Sequence, residues 1–200
     1  MRRDYDPAEL GRAIYPLLNS VVVPRPIAWV STTSADGVDN LAPHSFFTIS
    51  SVSPPVVQFT SVGAKDSLRN ARTTGEFVIS LCPEELIEQV NLTGTDYPAD
   101  VSEFDAVGLT REPSRLVRPP RVAESPVSIE CRLVGTREFG GDDTVVFGQV
   151  VWVAVDERAL RDGRPAIDLL KPVARLGAAE WCTVGEVSSR RRVPYSEVIA

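Results

Sequence analysis

The sequence has few side chains that could carry out catalysis by themselves. His44 is the only histidine among 200 residues, and no serine stands in a GxSxG motif. These gaps exclude the usual nucleophile and base of a hydrolase. No GxGxxG or GxxxxGK[ST] motif occurs, so the common dinucleotide and nucleoside triphosphate sites are not supported. We predict no catalytic side chain, and expect either a bound cofactor that carries the chemistry or no reaction at all.

Cysteine and lysine are also scarce. The three cysteines, Cys82, Cys131 and Cys182, are odd in number, far apart and never in a CxxC pair. We therefore predict no metal site and a reducing, cytoplasmic location. Only two lysines occur, and the net charge of -6 gives no broad positive field for nucleic acid or an anionic membrane. Neither is expected as a partner.

Long hydrophobic runs are absent. The N-terminal stretch MRRDYDPAELGR lacks the apolar core of a secretory signal. Residues 40–64 carry no formal charge, but their prolines and five serines argue against a membrane span. With 43% hydrophobic and 24% charged residues, we expect one soluble domain over residues 1–200.

Proline, by contrast, is abundant. Sixteen prolines occur, many of them between valine-rich runs, which favours strands and turns over long helices. We predict a mainly β fold, a closed antiparallel barrel with short peripheral helices. The predicted strands are 21–33, 38–49, 55–62, 76–81, 126–138 and 144–155. Helices are predicted to begin at Pro7, after a cap formed by Asp66 or Ser67, and at Pro83. Residues 93–125 are predicted to form a lid or a subunit-contact loop.

The segment KDSLRNAR, residues 65–72, opens a short predicted helix that Gly75 ends. Lys65 and the unpaired N–H groups of a helix start favour an anion such as a phosphate monoester. The alternative is a capped surface helix with solvated charges, and the spacing alone favours that alternative.

The predicted hairpin over residues 27–48 is a second candidate site. Its STT and PHSFF segments place hydroxyl groups and backbone amides beside aromatic rings, as a flat heteroaromatic ligand requires. Cross-strand packing of Trp29 and Phe46 explains the pattern equally well. His44 is a ligand donor, an axial haem ligand or a structural histidine bonded to the backbone. Arg175 either braces a loop or pairs with a carboxylate, and a ligand-binding role for it depends on the family resemblance below.

Five segments resemble, in order along the chain, the flavin reductase-like family with the FMN-binding split barrel. The segments are PRPIAWVST (24–32), NLAPHSFF (40–47), KDSLRNAR (65–72), GEFVISL (75–81) and KPVARLG (171–177). Each segment is weak alone, but five in register are specific for the fold and its cofactor. The sequence is most similar to flavoredoxin and to the nitrilotriacetate monooxygenase component B group of this family.

The resemblance implies a homodimer with FMN, or alternatively FAD, bound at or near the subunit interface. The implied cofactor-binding residues are Trp29, Ser31, Thr32, His44, Ser45, Lys65, Asp66, Ser67 and Arg175. The first three would line the ring and ribityl chain, the next two would meet the isoalloxazine edge, and residues 65–67 would contact the phosphate. Arg175 would contribute from the C-terminal part of the chain.

The activity that the resemblance implies is hydride transfer from NADH or NADPH to flavin, with reduced flavin passed to a monooxygenase component or another redox partner. Two positions depart from the family pattern. Asp143, in GGDDTVVFGQV, replaces a histidine associated with the nicotinamide side, and Trp181 replaces a common tyrosine. Asp143 keeps a second hypothesis open, an FMN-binding electron carrier or flavin-binding module that uses no nicotinamide.

Overall fold

The computed structural model describes residues 1–198, and its long strands form one antiparallel sheet. The strands are β1 Arg25–Pro26, β2 Ala28–Thr33, β3 Asp39–His44, β4 Phe47–Val52, β5 Pro55–Ser61, β6 Glu76–Ser80, β7 Arg111–Glu112, β8 Arg121–Val122, β9 Val127–Glu138, β10 Thr144–Val155, β11 Leu160–Arg161, β12 Arg164–Pro165, β13 Ala174–Arg175 and β14 Trp181–Cys182. The helices are α1 Pro7–Leu10, α2 Ile14–Val21, α3 Asp66–Thr74, α4 Ile87–Leu92, α5 Glu103–Ala106, α6 Ile167–Leu170 and α7 Tyr195–Val198. Within residues 1–198, no helix has the length and apolarity needed to cross a membrane. The mainly β fold with short peripheral helices is confirmed.

The two edge strands of the large sheet are neighbours in the sequence. The sheet order is β3-β2-β6-β9-β10-β5-β4, and only Ser45 and Phe46 separate β3 from β4. The edges meet at this bend, where the Thr60 amide donates to the Phe46 carbonyl at 2.9 Å. Among the described residues, no ladder joins β3 to β4. The pattern of strands predicted a closed barrel, and this prediction is wrong. The barrel is split along this seam, as the family resemblance implied.

The predicted strand over residues 38–49 is two strands in the structure. β3 pairs with β2, whereas β4 pairs with β5. Since β2 and β5 lie next to opposite edges of the sheet, one straight strand could not satisfy both ladders. The chain bends at Ser45 and Phe46 instead, and this bend creates the seam.

Strand β2 is buried on both of its faces. Ala28 and Val30 pack into the barrel core with Phe59. Trp29 points to the other side, where it packs with Phe104 in a second hydrophobic cluster. Because both faces are covered, all six residues of the strand are buried, the polar ones included.

The hairpin predicted over residues 126–138 and 144–155 is present as β9 and β10. One glycine in it is required by close packing. A Cβ atom on Gly148 would lie 2.2 Å from the Phe77 ring, and the register of the β9–β10 ladder shifts beside this glycine. A side chain at this position would displace the core aromatic ring.

The segment 93–125 is packed against the sheet. It contains α5 and the β7–β8 ladder. Phe104 and Val122 are buried in the second cluster, and the Glu103 carboxylate accepts the Leu41 backbone N–H at 2.8 Å. These buried anchors hold the middle of the segment against the sheet, and a role of the segment as a lid or a subunit contact stays a prediction.

A small sheet, β1-β13-β14, joins the N-terminal and C-terminal parts of the chain. Its register places Arg25 directly opposite Arg175. Two cations 150 positions apart in the sequence are thereby brought together beside the seam.

Candidate functional site

The seam of the barrel opens into a cleft of about 420 Å³. Strand β3, the bend, the end of β5, the start of α3 and the segment 93–97 form its walls. The lining residues are Tyr15, Asn40, Ala42, Pro43, His44, Ser45, Phe46, Thr60, Val62, Ala64, Lys65, Asp66, Ser67, Thr93, Gly94, Thr95, Asp96, Tyr97 and Glu103. A concave site of this volume is suited to a small organic ligand or cofactor.

The start of α3 forms one end of the cleft. Lys65 is the N-cap residue, in an extended conformation with φ -95° and ψ 162°, and no side chain caps the helix. The prediction that Asp66 or Ser67 caps it is wrong, because both side chains are engaged elsewhere. Asp66 pairs with Arg69 at 2.5 Å, and the Ser67 hydroxyl accepts from Asn40 at 3.1 Å. An uncapped helix start offers backbone N–H groups to an anion.

Lys65 also reaches across the mouth of the cleft. Its ammonium group lies 2.6 Å from the Asp96 carboxylate, and the two side chains are 50% and 84% exposed. The hydrogen bond and charge of Lys65 lower the pKa of Asp96. Exposed ion pairs of this kind contribute little to stability because solvent screens them, so a bound anion can compete for the lysine.

His44 lies in the cleft wall next to the bend. Its ring contacts the Phe59 ring at a centroid distance of 4.7 Å, and Nδ1 lies 3.3 Å from the Thr60 carbonyl oxygen. A carbonyl oxygen only accepts, so Nδ1 carries the proton and Nε2 is an acceptor. Within residues 1–198, Nε2 is the one buried side-chain nitrogen or oxygen atom with no hydrogen-bond partner.

Burial lowers the pKa of His44 to about 4, and the nearby charge of Lys65 acts in the same direction. The imidazole is therefore neutral at pH 7. Nε2 is enclosed in this structure, so a ligand would contact it only after the imidazole ring moves. Among the described residues, no group of three potential metal ligands occurs.

A second cavity of about 360 Å³ adjoins the cleft and shares Tyr15, Pro43, Ser45 and Gly94 with it. Arg175 lies here and not in the cleft. Its guanidinium group is 4.7 Å from the centre of the Trp181 ring and donates to the Ala178 carbonyl at 2.7 Å. The cleft and the second cavity are therefore neighbours that share part of one wall.

Of the nine residues predicted for the site, the cleft brings together His44, Ser45 and the run 65–67. Trp29, Ser31 and Thr32 do not line it, since all three are fully buried. This differs from the implied contacts with the ring and ribityl chain, and the reason is that β2 is covered on both faces.

The three buried side chains of β2 support the cleft walls from behind. The Trp29 indole N–H donates to Thr93 at 2.9 Å, and Thr93 itself lines the cleft. The Thr32 hydroxyl accepts from Asn70 in α3 at 3.2 Å, and Ser31 donates to the Pro120 carbonyl at 2.6 Å. Their role in the structure is to position neighbouring segments.

Sequence reasoning missed several lining residues. Asn40 is the first residue of the NLAPHSFF segment, so the family resemblance could have identified it. The run 93–97 lies at the start of the segment that was predicted only as a loop. Glu103 carries no sequence signal at all, although burial raises the pKa of its carboxyl group in the cleft wall. Its position depends on a long-range contact with Leu41.

The domain model that matches this chain is the flavin reductase like domain, over residues 20–170. The chain belongs to the flavin reductase-like family. Nitrilotriacetate monooxygenase component B from Bacillus cereus is 30% identical with a TM-score of 0.90, covering 95% of this chain and 99% of that chain. Flavoredoxin of Desulfovibrio vulgaris (Miyazaki F) is 28% identical with a TM-score of 0.78, covering 84% and 91%.

The split barrel of this flavin reductase-like chain has a further structural match. A protein of Shewanella frigidimarina NCIMB 400, whose domain is described as a split barrel, has a TM-score of 0.84 at 24% identity and covers 97% of this chain and 100% of that chain. The likeness concerns the fold alone. The predicted family and the predicted split barrel are both confirmed.

The two departures from the family pattern lie in different parts of the molecule, and only Trp181 lines one of the two cavities. Asp143 is exposed in the β9–β10 turn, next to Thr144, which pairs with Ser61 at the end of β5. Trp181 is half-buried and lines the second cavity beneath Arg175. Any effect of Asp143 on nicotinamide use and any effect of Trp181 on the covering of the flavin ring would therefore arise in separate parts of the molecule.

Proposed function

We propose that this flavin reductase-like protein binds FMN in the cleft and is an oxidoreductase that takes hydride from NADH or NADPH. The observation that supports this most directly is one cleft that holds both an uncapped helix start with Lys65 and an unpaired polar atom, His44 Nε2. The first suits a phosphate group, and the second suits a ligand N–H group. FMN carries both chemistries on one molecule.

At the phosphate end, Lys65 and the backbone N–H groups at the start of α3 would hold the anion. The whole chain has a net charge of -6, so the local donors must overcome an unfavourable overall field. The Asp66 carboxylate would repel a phosphate, but Arg69 already neutralises it at 2.5 Å. Lys65 would exchange its contact with Asp96 for the phosphate.

At the ring end, His44, Ser45 and the backbone around the bend would meet the edge of the flavin. A small movement of the imidazole ring would give Nε2 a donor and remove the cost of an unsatisfied acceptor. When bound, FMN accepts a hydride from the nicotinamide and passes its electrons on. Since His44 is neutral at pH 7, it orients the ring by hydrogen bonding and adds no charge.

The homodimer and the redox partner belong to the same proposal. Ile49 and Val52 on edge strand β4 are 68% and 85% exposed, and Val22 in the neighbouring N-terminal segment is 58% exposed. An exposed apolar edge of this kind is suited to a second subunit. The Bacillus cereus relative is a monooxygenase component B, which supports transfer of reduced flavin to an oxygenase. FAD remains the alternative flavin.

A cytoplasmic location is proposed from the cysteines. All three are free, and burial raises the pKa of the Cys82 thiol. Reduced, unpaired thiols suit a reducing compartment.

The second candidate function is an FMN-binding electron carrier that uses no nicotinamide. The observation that favours it is Asp143, which adds a negative charge next to β10 at the position where the family resemblance implies a histidine. A carboxylate there would repel the phosphates of a nicotinamide nucleotide.

The experiment that separates the two candidates starts from purified protein loaded with FMN. The visible spectrum is recorded before and after NADH and then NADPH are added without oxygen. Bleaching of the flavin band within seconds supports the reductase. Flavin that binds but stays oxidised with both donors, and is reduced by a redox protein, supports the carrier. No flavin binding at all contradicts the proposed function.

A further inference from the structure

The second cavity is positively charged in a protein that is acidic overall. Its lining includes Arg25 and Arg175 but neither aspartate nor glutamate, whereas the chain has 27 acidic against 21 basic residues. Within residues 1–198, the two guanidinium groups bond to backbone carbonyls and to the Ser45 hydroxyl, and not to carboxylates. This cavity therefore has two cations without a counter-ion.

Arg25 is the more constrained of the two. It is 6% exposed and donates to the carbonyls of Asn19, Val22 and Leu176. Burial, with Arg175 opposite it in the ladder, lowers the pKa of Arg25. The carbonyls offset part of the cost of burying this charge, and an anion between the two cations would remove the repulsion that remains.

Arg175 is held ready for such an anion. Its guanidinium group stacks on Trp181 at 4.7 Å, and one nitrogen donates to the Ala178 carbonyl at 2.7 Å. A guanidinium group has five N–H donors in a rigid plane, so most of its donors remain for a ligand in the cavity that it lines. A planar donor that is already oriented loses little entropy when it binds a carboxylate or phosphate.

We propose that the second cavity binds an oxyanion, a carboxylate or a phosphate, of the molecule that exchanges electrons with the flavin, and that Arg175 is its binding residue. The inference rests on the proposed function, because it takes flavin to occupy the adjoining cleft. The shared wall of Tyr15, Pro43, Ser45 and Gly94 would bring the two ligands side by side. Arg175 would then select the substrate and not hold the cofactor.

The test compares the Arg175→Gln variant with wild type, both loaded with FMN. The dissociation constant of benzoate is measured from the change in the flavin spectrum, and the KM for NADH from steady-state oxidation. We expect at least one of them to rise roughly tenfold to hundredfold, with the dissociation constant of FMN unchanged. Arg175→Lys keeps the charge but not the planar fork, so its constants should lie between those of wild type and Arg175→Gln.

The matched control is Arg115→Gln. Arg115 also lies over a tryptophan ring, 4.1 Å from the centre of Trp152, but it is exposed and lines neither the cleft nor the second cavity. It should change neither constant.

The outcomes separate the inference from the proposed function. A rise for benzoate alone indicates a carboxylate substrate, and a rise for NADH alone indicates the phosphates of the nicotinamide donor. If Arg175→Gln leaves both constants unchanged while FMN still binds, the inference is wrong and the proposed function stands. If the variant loses FMN instead, the cavity belongs to the cofactor and the inference is also wrong. Wild-type protein that binds no FMN overturns both.

Discussion

Two buried polar side chains, Glu130 and His44, differ in how completely the protein satisfies them. The Glu130 carboxylate is fully buried and accepts two backbone N–H groups at 2.8 and 2.7 Å and the Arg121 guanidinium at 2.5 Å. His44 is 8% exposed, and its Nδ1 lies 3.3 Å from the Thr60 carbonyl oxygen while Nε2 has no partner. Glu130 has its hydrogen-bond partners within the protein, whereas His44 Nε2 has none among the described residues.

The difference is also visible in their protonation. Burial by itself opposes the ionised form of Glu130, but the backbone N–H of Arg115 and the Arg121 side chain outweigh it and lower the pKa of the carboxyl group. Burial of His44 is opposed only by its Thr60 contact, and its pKa falls to about 4. A buried charge with all its donors holds segments of the fold together, whereas an incomplete group in a cleft wall points to a ligand.

The largest effect is expected from Glu130→Gln. This change leaves the buried Arg121 without its close counter-ion, and the free energy of unfolding should fall by about 3 to 5 kcal/mol. Denaturation in urea measures the loss. Glu112→Gln is the matched control, because Glu112 is 53% exposed and lies 3.9 Å from the same arginine. Equal losses in the two variants would contradict the structural role given to Glu130.

A pH titration of stability distinguishes His44 from Glu130. The unfolded histidine titrates near pH 6.5 and the folded one near 4, so between these values the unfolded state binds the extra proton. Stability should therefore fall as the pH drops from 6.5 to 4, by up to about 3 kcal/mol, and be independent of His44 above pH 6.5.

The variant His44→Phe should lose this slope between pH 6.5 and 4 in urea unfolding curves. The contribution of Glu130 is also lost as the pH falls, but in a lower range, because its lowered pKa gives stability that is present above its unfolded value and lost only in stronger acid. A slope that persists in His44→Phe would assign the proton uptake to another group.

The next effect in size concerns the anion end of the cleft. Lys65→Ala should weaken FMN binding roughly tenfold to hundredfold, because one charge-assisted phosphate contact is lost, and leave the melting temperature unchanged. Fluorescence quenching of FMN measures the affinity. Asp96→Asn is the matched control, since it frees Lys65 from its partner at 2.6 Å and should leave binding equal or tighter. Unchanged affinity in Lys65→Ala would place the phosphate elsewhere.

The smallest effect is expected at the ring end. His44→Phe keeps a flat ring against Phe59 but removes the Nε2 acceptor, so FMN should bind about fivefold more weakly at pH 7.5. His44→Gln, which retains an acceptor, should recover part of the loss. The same fluorescence titration decides, and tighter binding to His44→Phe would show that the nitrogen does not meet the flavin.

Much of the fold was predictable because its signals are local. Proline, glycine and valine patterns predicted the β9–β10 hairpin and the α3 segment that Gly75 ends. Gly75 has a φ of 75°, a left-handed backbone conformation that glycine adopts readily. The split of strand 38–49 was not predictable in this way, since the bend at Ser45 depends on which distant strands β3 and β4 pair with.

The candidate site was predicted in part for the same reason. Lys65 and His44 stand in short motifs and do lie in the cleft. The hydroxyl groups of β2 looked equally suitable, but α3 and the segment 93–125 cover that strand from both sides. Burial by segments far away in the chain leaves no trace in the local pattern.

The sequence by itself determined the family, the mainly β class and the position of the start of α3, because each can be recognised from short segments of consecutive residues. Only the tertiary structure decided that Glu130 is satisfied and His44 is not, and that Arg25 and Arg175 face one cavity. These facts depend on hydrogen-bond partners and charges from distant parts of the chain. The free energy of a buried polar group is set by those neighbours and not by its place in the sequence.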